Sequence, residues 1–386
     1  MKEIRVGIFG GFRGIAFYSV IAKTEGFCVR AICDGRAETR EEVKKKVGDE
    51  VLVCETWDEM IAAGIDAVIL ANYFHEHASY AIRAMEIGID VISETTAAPT
   101  LGECLDLVEC CERTGRKYML AANCPDMVGP GELMRVYRSG ELGEALYAEA
   151  EYLHPETYEE SLEFAPTDTH WRRYLPGTYY NMHSLGVLMT ATGLLPRRVT
   201  AMEIYTDSCR NRSSVRVNKS AGGIALYQMD NGAVFRSTGS CNMGPTGKWF
   251  RITCEKGTIE TERGNQDRVL FRRNGKGIVK YDPENQYTKE EKREGHGGAD
   301  ARICRQICDY LSGKVEEPLI DIYRAVTLSL AGIYGLYSVL DGKTYDIPDI
   351  KNKEERECLR GDYRTPFPDN KGNTTLPYGR SYKTHN

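Results

Sequence analysis

The stretch from Ile4 to Asp34 constrains the fold more than any other part of this chain. Ile4-Arg5-Val6-Gly7-Ile8-Phe9 reads as a short buried strand, Gly10-Gly11-Phe12-Arg13-Gly14 as a tight turn, and Ile15 to Lys23 as a helix. A second strand, Val29-Arg30-Ala31-Ile32-Cys33, ends on Asp34. In such a βαβ unit the glycine amides and the helix N-terminus attract a pyrophosphate, and a carboxylate about 20 residues further on accepts hydrogen bonds from a ribose diol. The turn departs from the spacing G-x-G-x-x-G. Phe12 stands where a glycine would let the backbone come closest to the pyrophosphate, which leaves G-x-x-x-G from Gly10 to Gly14. Glycine turns between strand and helix are common in themselves, and Asp34 is what favours the dinucleotide. Its charge repels a 2′-phosphate, so NAD is expected over NADP. Gly10, Phe12, Arg13, Gly14 and Asp34 are the first expected cofactor contacts.

The same alternation continues. A charged helix (Glu38 to Val47), a strand at Val51-Leu52-Val53 and a helix around Trp57 to Ala62 lead to Asp66 to Ala71, an apolar run suited to a strand covered on both faces. That run ends at Asn72-Tyr73-Phe74-His75. A helix with apolar Ala78, Ala81, Ile82 and Met85 precedes the strand Asp90 to Ser93, which ends at Glu94-Thr95-Thr96. A helix (Leu101 to Arg113) and the strand Tyr118 to Ala121 close the pattern near Asn123. Strict β/α alternation of this length predicts a doubly wound parallel sheet, with ligands beyond the carboxyl ends of its strands. Asn72, His75, Glu94, Thr95 and Asn123 therefore join the expected cofactor contacts.

From Asp126 the pattern changes. A helix (Pro130 to Ser139), a strand (Gly143 to His154), a polar loop (Pro155 to Pro176) and an apolar helix (Tyr179 to Thr192) precede a run of short strands with Asp230-Asn231-Gly232 and Lys256-Gly257 turns. This predicts a largely antiparallel sheet. Two helices, Ala299 to Leu311 and Ile322 to Leu340, follow. The fold class is thus α/β, a Rossmann doubly wound sheet plus a C-terminal α+β domain with a large open, mainly antiparallel sheet. The expected divisions are 1–124, 125–346 and an extended tail, 347–386, that drapes over the body or reaches a neighbouring subunit.

The chain's 386 residues suffice for two cores. A net charge of −6, spread without a basic block, argues against nucleic acid or an acidic membrane as partner. Thirteen cysteines form no C-x-x-C pair and read as small buried hydrophobes of a reducing compartment. With no signal-like N-terminus and no apolar run near the ~20 residues of a membrane span, a cytoplasmic protein is expected.

A Rossmann half followed by an antiparallel α/β half resembles the Gfo/Idh/MocA oxidoreductases, from residue 4 to about 350. Asn72-Tyr73-Phe74-His75 matches that family's N-x-x-H strand end, Glu94-Thr95-Thr96 lies where the family has Glu-Lys-Pro, and Gly177 to Gly186 lies where its dehydrogenases have a glycine-rich D-x-x-x-H helix. The resemblance implies that a lysine and an aspartate should flank the substrate hydroxyl. Here Thr95 and Tyr179 hold those places, and His183 alone is kept. The proton needs another route. Tyr180 and His183, one helical turn apart, put a phenol and an imidazole on one face.

The pattern Y-x-x-H followed by Ser184-Leu185-Gly186 resembles glycoside hydrolase family 109, an NAD-dependent glycosidase branch that also lacks the lysine. Ala97-Ala98-Pro99-Thr100, Asn123-Cys124, Gly295-His296-Gly297-Gly298-Ala299-Asp300, Asp321-Ile322-Tyr323 and Ile347-Pro348-Asp349 are similar to it as well. The resemblance implies a redox-assisted elimination: bound NAD⁺ oxidises C3 of a sugar, the C2 proton is removed, the aglycone leaves C1, water adds, and the cofactor is restored. His183 is the expected base at the sugar hydroxyl and Tyr180 its partner at C2, with the two roles interchangeable, and His296 a leaving-group or hydroxyl contact. Thr95, His154, Trp171, Arg172 and Tyr179 are the expected substrate contacts. No metal is expected.

Each residue keeps a plainer reading beside this one. His183 fits a core histidine, Tyr179 and Tyr180 fit packing residues, His75 fits a helix cap, and Trp171-Arg172-Arg173 fits an exposed loop. His154 and His170 lack the spacing of metal ligands. Glu151 and Asp168 as a hydrolytic pair have no separation fixed by the sequence. Three functions compete: a carbohydrate-active enzyme that recycles its own NAD, an ordinary NAD-dependent sugar or polyol dehydrogenase, and a non-catalytic sugar or dinucleotide sensor. The resemblance further implies a homo-oligomer, dimer or tetramer, with a small carbohydrate or glycoside as partner.

Overall fold

The computed structural model describes residues 3–205, 217, 219–240, 243–284, 287–293 and 295–377. The first stretch alternates as β1 (Ile4–Phe9), α1 (Gly11–Ile21), β2 (Phe27–Cys33), α2 (Ala37–Val47), β3 (Leu52–Cys54), α3 (Trp57–Ala62), β4 (Ala67–Leu70), α4 (His77–Glu86), β5 (Asp90–Ser93), α5 (Leu101–Thr114) and β6 (Tyr118–Leu120). The second stretch carries α6 (Val128–Arg138), β7 (Ala145–Leu153), α7 (Tyr158–Phe164), α8 (Gly177–Tyr180) and α9 (Met182–Thr192). Then come β8 (Pro196–Tyr205), β9 (Ser220–Met229), β10 (Val234–Ser240), β11 (Gly247–Cys254), β12 (Gly257–Glu262), β13 (Asn265–Arg273) and β14 (Val279–Tyr281). The chain closes with α10 (Ala299–Leu311), α11 (Ile322–Asp341), β15 (Tyr345–Asp346) and α12 (Lys353–Arg356).

The chain divides into two compact units, residues 1–126 with 286–326, and residues 127–285 with 327–386. In the first, six parallel strands run in the order β3-β2-β1-β4-β5-β6. The reversal of order beside β1 is the switch point at which open α/β sheets bind ligands. Val6, Ile8, Ile32, Ile69 and Ile92 are fully buried, as strands covered on both faces require.

The sequence assigns residues 286–326 to the second domain; the structure groups them with the first. The physical reason is the apolar stripe of α10. Ile303, Cys304, Ile307, Cys308 and Leu311 pack into one core with Phe17 and Ile21 of α1 and the strands beneath. Lys117 next to β6 donates to the carbonyls of Tyr310 and Leu311, capping the C-terminal end of α10.

The second unit is a nine-stranded sheet, β14-β13-β12-β11-β7-β10-β9-β8-β15. Every neighbouring pair is antiparallel except β7 and β10. Along β7, buried Ala148, Ala150 and Tyr152 alternate with half-buried Tyr147, Glu149 and Glu151, so the sheet has a covered face and an open one. On the open face Arg236 reaches Glu149 at 3.0 Å and Glu151 at 3.1 Å. The described part of the tail lies against this unit: Ile350, Leu359 and Phe367 are buried, and Phe367 meets Tyr179 edge-on at 5.5 Å.

Candidate functional site

In the first unit the glycine turn is built for close approach. Gly10 has φ 99°, and a Cβ there would lie 2.3 Å from the Ala71 carbonyl carbon, so only glycine fits. A Cβ on Gly14 would lie 2.3 Å from Ile8 Cγ2, which explains how α1 sits so close to β1. Asp34, at the end of β2, accepts from the Phe12 N–H at 3.2 Å and the Arg36 N–H at 2.9 Å. The Phe12 ring is half exposed and carries the Arg36 guanidinium 5.0 Å above it, so the residue that replaces the usual glycine points away from the turn. A backbone cradle at a helix N-terminus with a carboxylate at the next strand end fits the phosphates and ribose of NAD.

At the ends of β4 and β5 the other expected contacts gather. Asn72 donates to Glu76 at 3.1 Å, and the Thr95 N–H to Glu94 at 3.1 Å. Burial brings His75 down to about 4, with the neighbouring His77 adding to it, so its imidazole is neutral at ordinary pH. His77, which the sequence reading passed over, is 1% exposed and joins the two loops: its Nδ1 lies 2.9 Å from the Thr96 carbonyl and its Nε2 3.3 Å from that of Asn72. Nothing in the local pattern marks it, because its partners belong to different strands. Arg13, an expected cofactor contact, spends its guanidinium on Glu94 and Asp300. His296 lies in this unit, beside Asp300. Asn123 begins the short turn Cys124–Asp126 and its carbonyl accepts from the Asp126 N–H.

In the second unit α8 lies in a slot of glycines. A Cβ on Gly177 would meet the Gly222 carbonyl carbon at 2.2 Å, one on Gly239 would meet the Asn181 side chain at 2.7 Å, and one on Gly332 of α11 would meet the Tyr179 Cα at 3.2 Å. The Thr178 N–H points to buried Glu203 at 3.4 Å. Burial pushes the Glu203 carboxyl up to about 7, against hydrogen bonds from Tyr205 and the Thr178 and Gly177 backbone.

This slot fixes Tyr180 and His183, whose rings meet edge-on at 4.7 Å. His183 also stacks on Tyr152 at 4.8 Å, and Tyr152 meets Tyr180 at 5.6 Å. His154 also stacks with Tyr152 at 6.2 Å, and the Lys248 ammonium lies 5.1 Å from the Tyr152 ring centre. Tyr152 and Lys248 were missed in the sequence. The signal was present, since Tyr152 and His154 are two apart on a strand and share its face, while Lys248 faces Tyr152 across the β11/β7 ladder. Burial lowers His154 from its ordinary value, outweighing the pull of Glu156. Tyr179, 2% exposed, faces Phe367 and is part of the packing. Arg172 is bound to buried Glu156 at 2.9 Å and lies 5.5 Å over Trp171. Among the described residues no group of three or more His, Cys, Asp or Glu side chains is placed to hold a metal ion, and no helix is long and apolar enough to cross a membrane.

The parallel sheet, its glycine cradle and the acid at β2 define an NAD-binding Rossmann protein carrying a second, mostly antiparallel domain. Residues 4–122 match the family model described as the oxidoreductase family with NAD-binding Rossmann fold, GFO_IDH_MocA. A glycosyl hydrolase family 109 protein of Stenotrophomonas maltophilia (strain K279a) is 24% identical over 90% of this chain and 89% of its own length. Another of that description, from Shewanella sp. (strain W3-18-1), is 31% identical over 48% of this chain and 43% of its own, so that match spans under half of the relative. The fold is shared with an oxidoreductase from Agrobacterium radiobacter solved in complex with NAD⁺, L-tartaric acid and magnesium, at TM-score 0.74 and 18% identity over 89% of this chain and 98% of that one. Residues 4–122 thus match the NAD-binding Rossmann domain of the Gfo/Idh/MocA oxidoreductases, and the chain is similar over most of its length to a family 109 glycosyl hydrolase.

Proposed function

We propose that this protein acts on a glycoside by redox-assisted elimination and hydrolysis, with its NAD recycled in place. The observation that carries this reading is the contact of Tyr180 with His183 inside a cluster completed by Tyr152; in the sequence, Thr95 and Tyr179 hold the places of the lysine and aspartate of the resembled dehydrogenases. Gly10, Gly14 and Asp34 would hold the dinucleotide. When bound, NAD⁺ supplies reversible oxidation of a sugar carbon. His183, half-buried between two phenols, accepts the proton of the C3 hydroxyl; an imidazole has an ordinary pKa of about 6.5, suited to taking and returning a proton near neutrality. Tyr180, held edge-on to His183, serves C2, and the pair needs no fixed charge at rest. His154 and Trp171-Arg172 are the proposed hydroxyl contacts.

The test is incubation of the purified protein with a panel of glycosides in deuterated water, without added NAD. Deuterium at C2 of the recovered sugar is the expected result, and His183→Ala should remove it while dinucleotide affinity stays within about twofold. The match to an oxidoreductase family model is equally compatible with a second reading, an ordinary sugar or polyol dehydrogenase. Stoichiometric accumulation of NADH with no exchange would establish that one instead. The open face of the nine-stranded sheet is proposed to pair with a second copy.

A further inference from the structure

The first unit holds a set of charged side chains joined to one another beside the glycine turn. Arg13, in the first turn of α1, donates from Nε to Glu94 Oε1 at 2.7 Å and from Nη1 and Nη2 to the two oxygens of Asp300 at 2.9 and 3.1 Å. Asp300 is 1% exposed, and each of its oxygens also lies 3.1 Å from His296 Nδ1. Residues 81 and 287 positions apart from Arg13 are thus drawn to one guanidinium beside the glycine turn.

The loop that delivers Asp300 is demanding. His296, Gly297 and Gly298 have φ of 58°, 68° and 105°, and a Cβ on Gly295 would lie 2.1 Å from Asp300 Oδ2. Gly295-His296-Gly297-Gly298-Ala299-Asp300 is therefore a segment that wraps round its own carboxylate. Burial pushes the Asp300 carboxyl up, but hydrogen bonds from His296 and Arg13 and the Arg13 charge more than reverse this and hold it well below the ordinary range. An ionised carboxylate only accepts, so the proton of a neutral His296 sits on Nδ1, and Nε2 is the basic nitrogen. The two-pronged grip on Arg13 is of the strong, directional kind.

We propose that Asp300 is a positioning residue of the dinucleotide site: it holds Arg13 across Glu94 and presents His296 with Nδ1 protonated and Nε2 ready to accept a proton. One carboxylate thereby sets both dinucleotide affinity and the state of His296. This rests on Glu94 being a cofactor contact. The test uses the full chain stripped of dinucleotide and titrated with NAD⁺ by calorimetry. Asp300→Asn, Arg13→Gln and Glu94→Gln should each raise Kd at least tenfold, and the Asp300→Asn/Arg13→Gln double variant should bind about as well as the weaker single, as members of one unit do. Histidine ¹⁵N spectra should show the Nδ1–H form of His296 in the native chain and its loss in Asp300→Asn.

An unchanged Kd for Asp300→Asn beside a raised one for Glu94→Gln would overturn the coupling and leave the Glu94 contact standing. An unchanged Kd for Glu94→Gln would remove that contact and the proposal with it. Additive losses in the double variant, or an Nε2–H form in the native chain, would also overturn the proposal. If Asp300→Asn does not fold, Arg13→Gln and the native spectrum decide.

Discussion

His183 is useful because of what touches it. A lone imidazole in an apolar helix is ordinary packing, but this one is half-buried, stacked on one phenol and edge-on to another, both within 5 Å of its ring centre. Tyr180→Phe separates the two readings of its neighbour, since it keeps the ring that packs on His183 and removes only the hydroxyl. Turnover should fall by a factor on the order of 10² to 10⁴, the usual worth of one general acid or base, with NAD⁺ affinity and melting temperature unchanged. Undiminished turnover in steady-state assays would make Tyr180 a packing residue.

The elements that place these side chains depend on glycine and on one buried acid. The short helix α8 fits between sheet and α11 only because Gly177, Gly222, Gly223, Gly239 and Gly332 leave room for its backbone. Glu203 anchors its first turn. The Glu203 carboxyl is raised from 4.5 to about 7 on folding, chiefly by burial. Its favourable contribution is therefore complete below about pH 4.5 and lost as pH climbs through about 7, a change on the order of 3 kcal/mol. Glu103 and Asp126, pushed up by burial to about 7 and about 6, act in the same sense. The difference between native protein and Glu203→Gln isolates one group. Unfolding midpoints between pH 4.5 and 7.5 should converge toward the variant's as pH falls, and a gap independent of pH would refute the assignment.

The alternation of β1 to β6, the glycine turn and Asp34 were legible in the sequence, because strand and helix periods and turn residues are local signals. The partner of α10 was not, because an apolar stripe such as Ile303 to Cys308 says that something must cover it without saying what. The contact of Tyr180 with His183, three residues apart, is by contrast a local one that spacing can suggest. His77 and the Arg13 to Asp300 link, each made between distant segments, emerged only from the fold.

At the scale of the whole molecule, the open sheet face asks for a partner. Met202, Leu226 and Val234 are 73%, 47% and 39% exposed on it, beside a ladder in which Arg236 joins Glu149 and Glu151 and Arg263 reaches Glu151. A surface carrying apolar side chains and both signs of charge can complement its own copy across a twofold axis, which is the pairing proposed above. Sedimentation should find an oligomer for the native chain and a monomer for Met202→Glu/Leu226→Glu; a monomeric native protein would dispose of the idea.

The assignment of residues 286–326 to the first unit also bears on how the protein is made. Because α10 and Asp300 follow β14 in the chain, a nascent chain carrying only β1 to β6 still lacks one of its covering helices and the anchor for Arg13. The first unit is therefore completed only late in synthesis, and the second later still, when residues 327–386 supply most of α11 and β15.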